Sequence, residues 1–257
     1  MSGRERIDAA IRTANGRGGP ALVGFMTAGY PSRERFREHL QSIAASADVI
    51  EIGVPFTDPM ADGVTIQRAS RAALAQGVSL RWILRELSAM RLSVPVILMS
   101  YLNPLLAVGL ELLCRTAADA DVAGFIVPDL PLDESEELRA ALAPQGLALI
   151  QMVTPVTSAA RLARLCAASQ GFVYAVTMTG TTGRSVAVPP AILDYLGRVR
   201  AHARVPVCAG FGIRSREQVA RLAGHVDGVI VGSALVEVLE RNADPTAWLA
   251  TLRADAR

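Results

Sequence analysis

Residues 48–54 read DVIEIGV, and the ten that follow, 55–64, read PFTDPMADGV. The first segment is a β-branched, apolar run, and the second is a loop punctuated by Pro and Gly. Period-two alternation puts Val49, Glu51 and Gly53 on one side of the strand and Ile50, Ile52 and Val54 on the other. Similar short apolar runs recur along the chain at 21–29, 95–101, 124–129, 147–154, 172–178, 206–212 and 228–234. Near-continuous apolar runs of this kind are expected of parallel strands covered on both faces.

Helical patterns follow the strand runs, among them SRERFREHLQSIAAS, SLRWILRELSAM, DESEELRAALA, SAARLARLCAAS, AILDYLGRVRAHA and SREQVARLA. Their apolar residues recur at three- and four-residue steps, and several open with a serine suited to an N-cap. Eight strand–helix units in 257 residues match an α/β protein of the (β/α)8 TIM barrel class. The competing doubly wound sheet, if it bound a dinucleotide, would show GxGxxG after its first strand, and that pattern is absent. Gly and Pro never cluster into a linker, so residues 1–257 read as a single barrel domain with a short N-terminal helix. The longest breaks, Pro55–Val64 and Gly180–Pro190, both follow strands and so fall on the face where barrel active sites form.

Composition narrows the chemistry. A formal charge of +2 gives no basic excess to argue for nucleic acid or a membrane surface. All 26 basic residues are arginines, so no lysine Schiff base to a substrate or to pyridoxal phosphate can form on this chain. Cys114, Cys166 and Cys208 lack CxxC spacing and read as reduced, buried thiols. No signal-peptide pattern or membrane span is legible, and a cytoplasmic protein is expected. His39, His202 and His225 do not end strands, and no HxH or HExxH spacing suggests a bound metal.

Glu51 is the informative residue. The isoleucines beside it suit the helix layer, so its carboxyl should point into the barrel. Pairing with an arginine is the plain structural alternative, yet no arginine lies in any strand run, and only Arg184, in the loop after strand 6, is a candidate. An unpaired carboxyl in such a place gains a raised pKa and can move protons near neutrality. Asp58 and Asp62, taken alone, read as turn formers. Asp129 ends strand 4 and reads equally as a wall of the site or as a loop-shaping residue. Glycine-rich loops after strands 6, 7 and 8 converge where barrels often hold phosphate through backbone N–H groups. The residues alone therefore suggest a barrel that binds a phosphorylated molecule and handles protons with carboxylates.

Seven segments together resemble the tryptophan synthase α-subunit family. In chain order they are FMTAGYP (25–31), EIGVPFTDPMADGVTIQ (51–67), LMSYLNP (98–104), VPDLP (127–131), GTTG (180–183), GFGI (210–213) and VGSA (231–234). The resemblance runs from about Ala21 to Trp248. It implies a barrel lyase that cleaves indole-3-glycerol phosphate to indole and glyceraldehyde 3-phosphate, with the indole ring as electron sink. By matching position, Glu51 is the acid/base residue and Asp62 the partner of the indole N–H. Asp58 shapes the loop. Phe25, Ile126 and Phe211 match pocket walls, with Met152 a weaker match. Tyr101 and Asn103 match a substrate-positioning segment, Tyr174 a tyrosine near the reacting centre, and Thr182 a residue that holds the Asp62 loop. Gly183, Gly212, Gly232 and Ser233 match phosphate-binding positions.

Two departures fall in or beside the loops after strands 2 and 6, which the resemblance implies take part in closure. Val64 stands where many members have proline, and Met178 and Thr179 stand where many have an arginine nearby. They bear on loop closure and on communication with a partner. The resemblance also implies a β-subunit partner in an α2β2 heterotetramer, with pyridoxal phosphate on that partner and no cofactor on this chain. A free-standing indole-releasing lyase and a non-catalytic activator of a β subunit are the alternatives. Two other phosphate-binding barrels fit less well: one is expected to need a catalytic lysine, the other a cysteine in its first strand.

Overall fold

Eight parallel strands close on themselves in chain order. The computed structural model describes residues 1–177, 188–210 and 212–253. The strands are β1 (Ala21–Thr27), β2 (Val49–Gly53), β3 (Val96–Met99), β4 (Val122–Ile126), β5 (Ala148–Val153), β6 (Val173–Val176), β7 (Val207–Gly210) and β8 (Gly228–Val231). Each pairs with the next, and β8 returns to β1 through Ala21 opposite Gly228. This is the (β/α)8 TIM barrel expected from the sequence. Most strands stop short of their apolar runs. After β1, the Ala28 N–H still bonds the Gly53 carbonyl of β2, and Gly29 then takes a φ of 71° and turns the chain out of the ladder.

A helix, α1 (Gly3–Asn15), precedes the barrel. Around it lie α2 (Phe36–Ala44), α3 (Val64–Ala75), α4 (Leu80–Ser88), α5 (Leu102–Val108), α6 (Leu110–Asp119) and α7 (Glu136–Leu142). The layer continues with α8 (Ala159–Ala168), α9 (Pro190–His202), α10 (Arg216–Leu222), α11 (Ser233–Glu240) and α12 (Pro245–Leu252). Serine caps behave as their chemistry dictates at two of these helices. Ser79 accepts from the Trp82 N–H, and Ser215 accepts from the Gln218 N–H while Gln218 bonds back to the Ser215 N–H. Ser158 takes the N-cap position of α8 without a side-chain bond.

The pleat sorts side chains into two cores. Leu22, Met26, Ile50, Ile52, Leu98, Phe125 and Val229 face the helices. Val23, Val49, Ile97, Ile150, Tyr174, Cys208 and Ile230 fill the barrel. Ile7, Ile11 and Ala14 of α1 belong to that inner cluster, so α1 closes the barrel floor. Gly3 is required there, because a Cβ on it would sit 2.0 Å from the Ala123 carbonyl oxygen. At the same end the buried carboxylate of Asp48 accepts from the Leu22 N–H and pairs with Arg17 and Arg253. With the floor sealed, the open end is the carboxyl end of the strands, where Glu51, Asp62 and the loops gather.

Candidate active site

Glu51 is the central residue of β2, flanked in register by Phe25 of β1 and Ile97 of β3. Its side chain is 1% exposed and points into the barrel, as the alternation predicts. Oε2 is buried without a hydrogen-bond partner, and among the described residues no cation pairs with the carboxyl. Burial, with a smaller push from the charge of Asp62, raises its pKa to about 8.

Asp62 reaches the same region from the loop between β2 and α3. The hydroxyl of Tyr101 donates to Asp62 Oδ2 at 3.2 Å and accepts from the Ala61 N–H at 2.8 Å. Gln67, on the first turn of α3, donates from Nε2 to the Asp62 carbonyl at 2.9 Å. The Asp62 N–H bonds the Pro59 carbonyl. The loop is therefore tied at three points around a half-buried carboxylate. Burial raises the pKa of Asp62 to about 6, with the Tyr101 hydrogen bond acting against that rise. Phe56 stacks on Tyr101 with centroids 5.0 Å apart, which fixes the tyrosine from its other side.

Phe25, Gly53, Asp62, Met99 and Tyr101 line one cavity at this end of the barrel, together with Thr27, Ile66 and Pro128. Gly53 makes room for an aromatic wall: a Cβ there would lie 2.6 Å from the Phe25 ring. Gly210 does the same for Tyr174, whose oxygen would be 2.5 Å from a Cβ on that glycine. Tyr174 is buried in β6, and burial, with the charges of Glu51 and Asp62, holds its hydroxyl well above the ordinary tyrosine pKa. Ile126 ends β4, fully buried in the inner cluster. Met152 packs against that cluster, half-buried, as ordinary barrel packing requires.

Gly212 is exposed after β7 with a φ of 81°, a backbone that strongly favours glycine. Gly232 is the N-cap residue of α11 and Ser233 its first residue, both half-buried. Thr182, Gly183, Arg184 and Phe211, with Met178 and Thr179, lie outside the described residues. Asn103 is exposed on α5, and the structure does not bring it to the cavity. Asp58 is exposed and accepts from the Thr57 hydroxyl at 2.5 Å, a turn role. Asp129 accepts twice from the Leu102 N–H, with both carboxylate oxygens at the start of α5, so its position is that of a loop-shaping residue.

Sequence reasoning missed Thr27, Ile66, Met99 and Gln67. The first three carry no signal beyond an apolar or strand-like pattern. Gln67 closes the segment that holds Glu51 and Asp62, yet only the folded loop shows why an amide is needed there. The three cysteines are buried and free. Among the described residues no group of three His, Cys, Asp or Glu side chains is placed to hold a metal.

One fully buried and one half-buried carboxyl group with separated proton affinities, at the carboxyl end of the barrel strands, can divide proton donation from charge stabilisation. A family model described as tryptophan synthase alpha chain matches residues 11–255. The tryptophan synthase alpha chain of Nitratidesulfovibrio vulgaris (strain DP4) is 45% identical over 247 residues, covering 95% of this chain and 96% of that one. That of Carboxydothermus hydrogenoformans is 43% identical, covering 91% and 89%. A solved structure of Mycobacterium tuberculosis tryptophan synthase superposes with a TM-score of 0.90 at 37% identity, covering 98% of each chain. Matching along nearly the whole length, in sequence and in barrel geometry, these likenesses establish that the chain belongs to the tryptophan synthase alpha chain family.

Proposed function

We propose that this chain is the lyase of tryptophan biosynthesis that cleaves indole-3-glycerol phosphate to indole and glyceraldehyde 3-phosphate, with Glu51 and Asp62 as its working pair. The observation that carries the reading is Glu51: a fully buried carboxyl inside a barrel, with Oε2 unpartnered and no cation paired with it among the described residues. A scaffold has no reason to keep such a group, since an unpaired buried polar atom costs about 1–3 kcal/mol.

The separated pKa values assign the roles. With its pKa near 8, Glu51 holds a proton at neutral pH and can deliver it to ring C3 of the indole. The ring then becomes an indolenine cation. Asp62, with its pKa near 6, is mostly ionised and can accept the indole N–H, stabilising that positive charge. Loss of the proton from the side-chain hydroxyl breaks the carbon–carbon bond in a retro-aldol step, and Glu51, now a carboxylate, is a suitable acceptor. The indole ring serves as electron sink, so the absence of lysine is no obstacle.

Phe25, Ile126 and Phe211 are assigned to the walls around the ring, Tyr101 to holding Asp62, and Tyr174 to the reacting centre. Thr182 is assigned to holding the Asp62 loop. Gly183, Gly212, Gly232 and Ser233 are assigned to the phosphate through backbone N–H groups. The chain acts as one domain with α1 as its floor.

A β subunit is the expected partner, in an α2β2 heterotetramer in the cytoplasm. No helix of the described residues is long and apolar enough to cross a membrane. Pyridoxal phosphate belongs on the partner, since this chain has no lysine to hold it as a Schiff base and is proposed to carry no cofactor. Indole is small and apolar, so direct transfer to a partner avoids its loss. The deciding experiment measures indole release from indole-3-glycerol phosphate while a β subunit is titrated in. Release that rises with the β subunit supports the reading. No release at any ratio refutes the lyase assignment, and partner activation without cleavage would make the chain an activator only.

A further inference from the structure

A cavity of about 270 Å³ opens at the same end of the barrel but on the outer side of β5. It is bounded by Leu149 and Gln151 of β5, by Arg161 and Leu165 of α8, and by the turn at 127–132. Pro128 is the one residue it shares with the cavity beside Asp62.

Gln151 marks this space as more than a packing gap. Strand alternation puts its side chain outward with Leu149 and Val153, toward α8, where an apolar residue would satisfy the helix layer. The residue is 6% exposed. Its backbone N–H bonds the Ser169 hydroxyl, but its side-chain amide makes no hydrogen bond among the described residues. A primary amide so deeply buried ordinarily finds a partner, and its two donors and one acceptor here face the cavity.

The second feature is charge. Arg161 donates from Nη1 to Asp133 at 3.0 Å, and Arg164 pairs with the same carboxylate. Two guanidinium groups thus share one carboxylate, which leaves that cluster with one net positive charge. Nε and Nη2 of Arg161 have no partner among the described residues. Asp129 is the carboxylate that bounds the cavity itself, and its two oxygens accept from the Leu102 N–H at the start of α5. The unpartnered Gln151 amide and the free edge of Arg161 therefore bound the same space, with Leu149 and Leu165 beside them.

We propose that this cavity is a second small-molecule site, separate from the Glu51–Asp62 centre, for a carboxylate carried on an apolar body. The volume admits roughly ten non-hydrogen atoms at about 30 Å³ for each water-sized group. The carboxylate takes the Gln151 amide and the free edge of Arg161, and Leu149 and Leu165 cover the apolar body.

The test uses the full-length chain and 3-phenylpropionate, with 3-phenylpropan-1-ol as the neutral control, followed by calorimetry and by backbone amide shifts. Saturable binding in the millimolar range is expected, with weaker binding of the alcohol. The shifts should concentrate in 127–132 and 149–165. Gln151→Leu and Arg161→Met should each weaken binding about tenfold, the worth of one hydrogen bond to a charged group. Indole release should be unchanged in both. Arg161→Met changes a largely exposed side chain, so it decides the question even if Gln151→Leu fails to fold. The proposal is overturned by lack of saturation, by equal affinity for the alcohol, by Arg161→Met binding as the wild type does, or by shifts confined to residues around Glu51 and Asp62.

Discussion

The hydroxyl of Tyr101 stands between two groups of one loop, accepting from the Ala61 N–H and donating to the carboxylate of Asp62. The second bond favours the ionised form of Asp62 and opposes the upward push of burial. Tyr101→Phe should therefore raise the pKa of Asp62 and leave the Ala61 N–H without its partner. In the proposed mechanism the ionised carboxylate is the active form. The acid limb of the pH profile should move to higher pH in this variant, with kcat reduced about tenfold at neutrality, the weight of one good hydrogen bond. Steady-state kinetics from pH 5 to 9 would settle it, and an unmoved acid limb would detach Tyr101 from the titration.

The wild-type profile carries its own expectation. Activity requires Asp62 ionised and Glu51 protonated, so kcat/KM should be bell-shaped, rising near pH 6 and falling near pH 8. The two carboxyls interact, so the limbs belong to the pair. Glu51→Gln should remove the basic limb along with the reaction, lowering kcat by about 10²–10⁴ as the loss of a general acid–base group does. Turnover near the wild-type level in that variant would exclude Glu51 from proton transfer.

Stability offers a check that is independent of turnover. Glu51 holds its proton up to about pH 8 in the folded chain, against an ordinary value of 4.5. Between those values the folded state binds more protons than the unfolded state, so stability falls as pH rises through the window. The favourable contribution is complete below about 4.5 and gone above about 8. Urea unfolding of wild type and Glu51→Gln at pH 5, 7 and 9 should show the variant gaining relative to wild type as pH rises. The gain should be on the order of a few kcal/mol across the window. Parallel curves for the two proteins would mean that the carboxyl titrates normally in the fold.

The strands were legible because each is a short apolar run, and burial on both faces leaves little else to read. Their ends were less so. The run at 124–129 begins at Gly124, whereas β4 starts at Val122, because Asp121 takes a left-handed φ of 57° and lets a polar turn pass directly into the ladder. The inward direction of Glu51 followed from period two together with the isoleucines on the other side, which suit the helix layer. The tie between Tyr101 and Asp62 did not, since the residues lie 39 positions apart and meet only when β2 and β3 are neighbours. Gln151 was equally silent: inside an apolar run it passes for one more strand residue until the helix opposite it is known. Asn103 shows the reverse, a residue matched by its place in a motif that the fold leaves exposed on α5.

At the barrel floor, Asp48 is a structural carboxylate and should behave unlike Glu51. It is 5% exposed and satisfied by the Leu22 N–H, Arg17 and Arg253, which joins β1, the end of α1 and the end of α12. Asp48→Ala removes an acceptor of two guanidinium groups and orphans a buried N–H. The loss should be about 2–3 kcal/mol, the range for a charged hydrogen bond, with the more exposed arginines adding little. Because the site lies at the opposite end, kcat should stay within about twofold, where a change of 1.4 kcal/mol in the barrier would be tenfold. Denaturant midpoints and kcat measured on one preparation separate the two effects, and a large fall in kcat with unchanged stability would contradict the assignment.

Phe25 and Gly53 face each other across β1 and β2, and the space between them decides the shape of the cavity wall. A methyl group at Gly53 would stand 2.6 Å from Cζ and 2.8 Å from Cε2 of Phe25, closer than carbon atoms can pack. Gly53→Ala should push the ring toward the cavity, lowering stability by about 1–3 kcal/mol as overpacking does and raising KM more than it lowers kcat. Phe25→Leu shortens the opposing side chain and should relieve the strain. The double variant should then be more stable than the sum of the two single losses by at least about 0.5 kcal/mol, the coupling expected of residues in contact. The cycle is closed by urea unfolding of all four proteins. Strict additivity would mean that the Phe25 ring does not occupy the space Gly53 leaves open, and the aromatic wall of the site would have to be sought elsewhere.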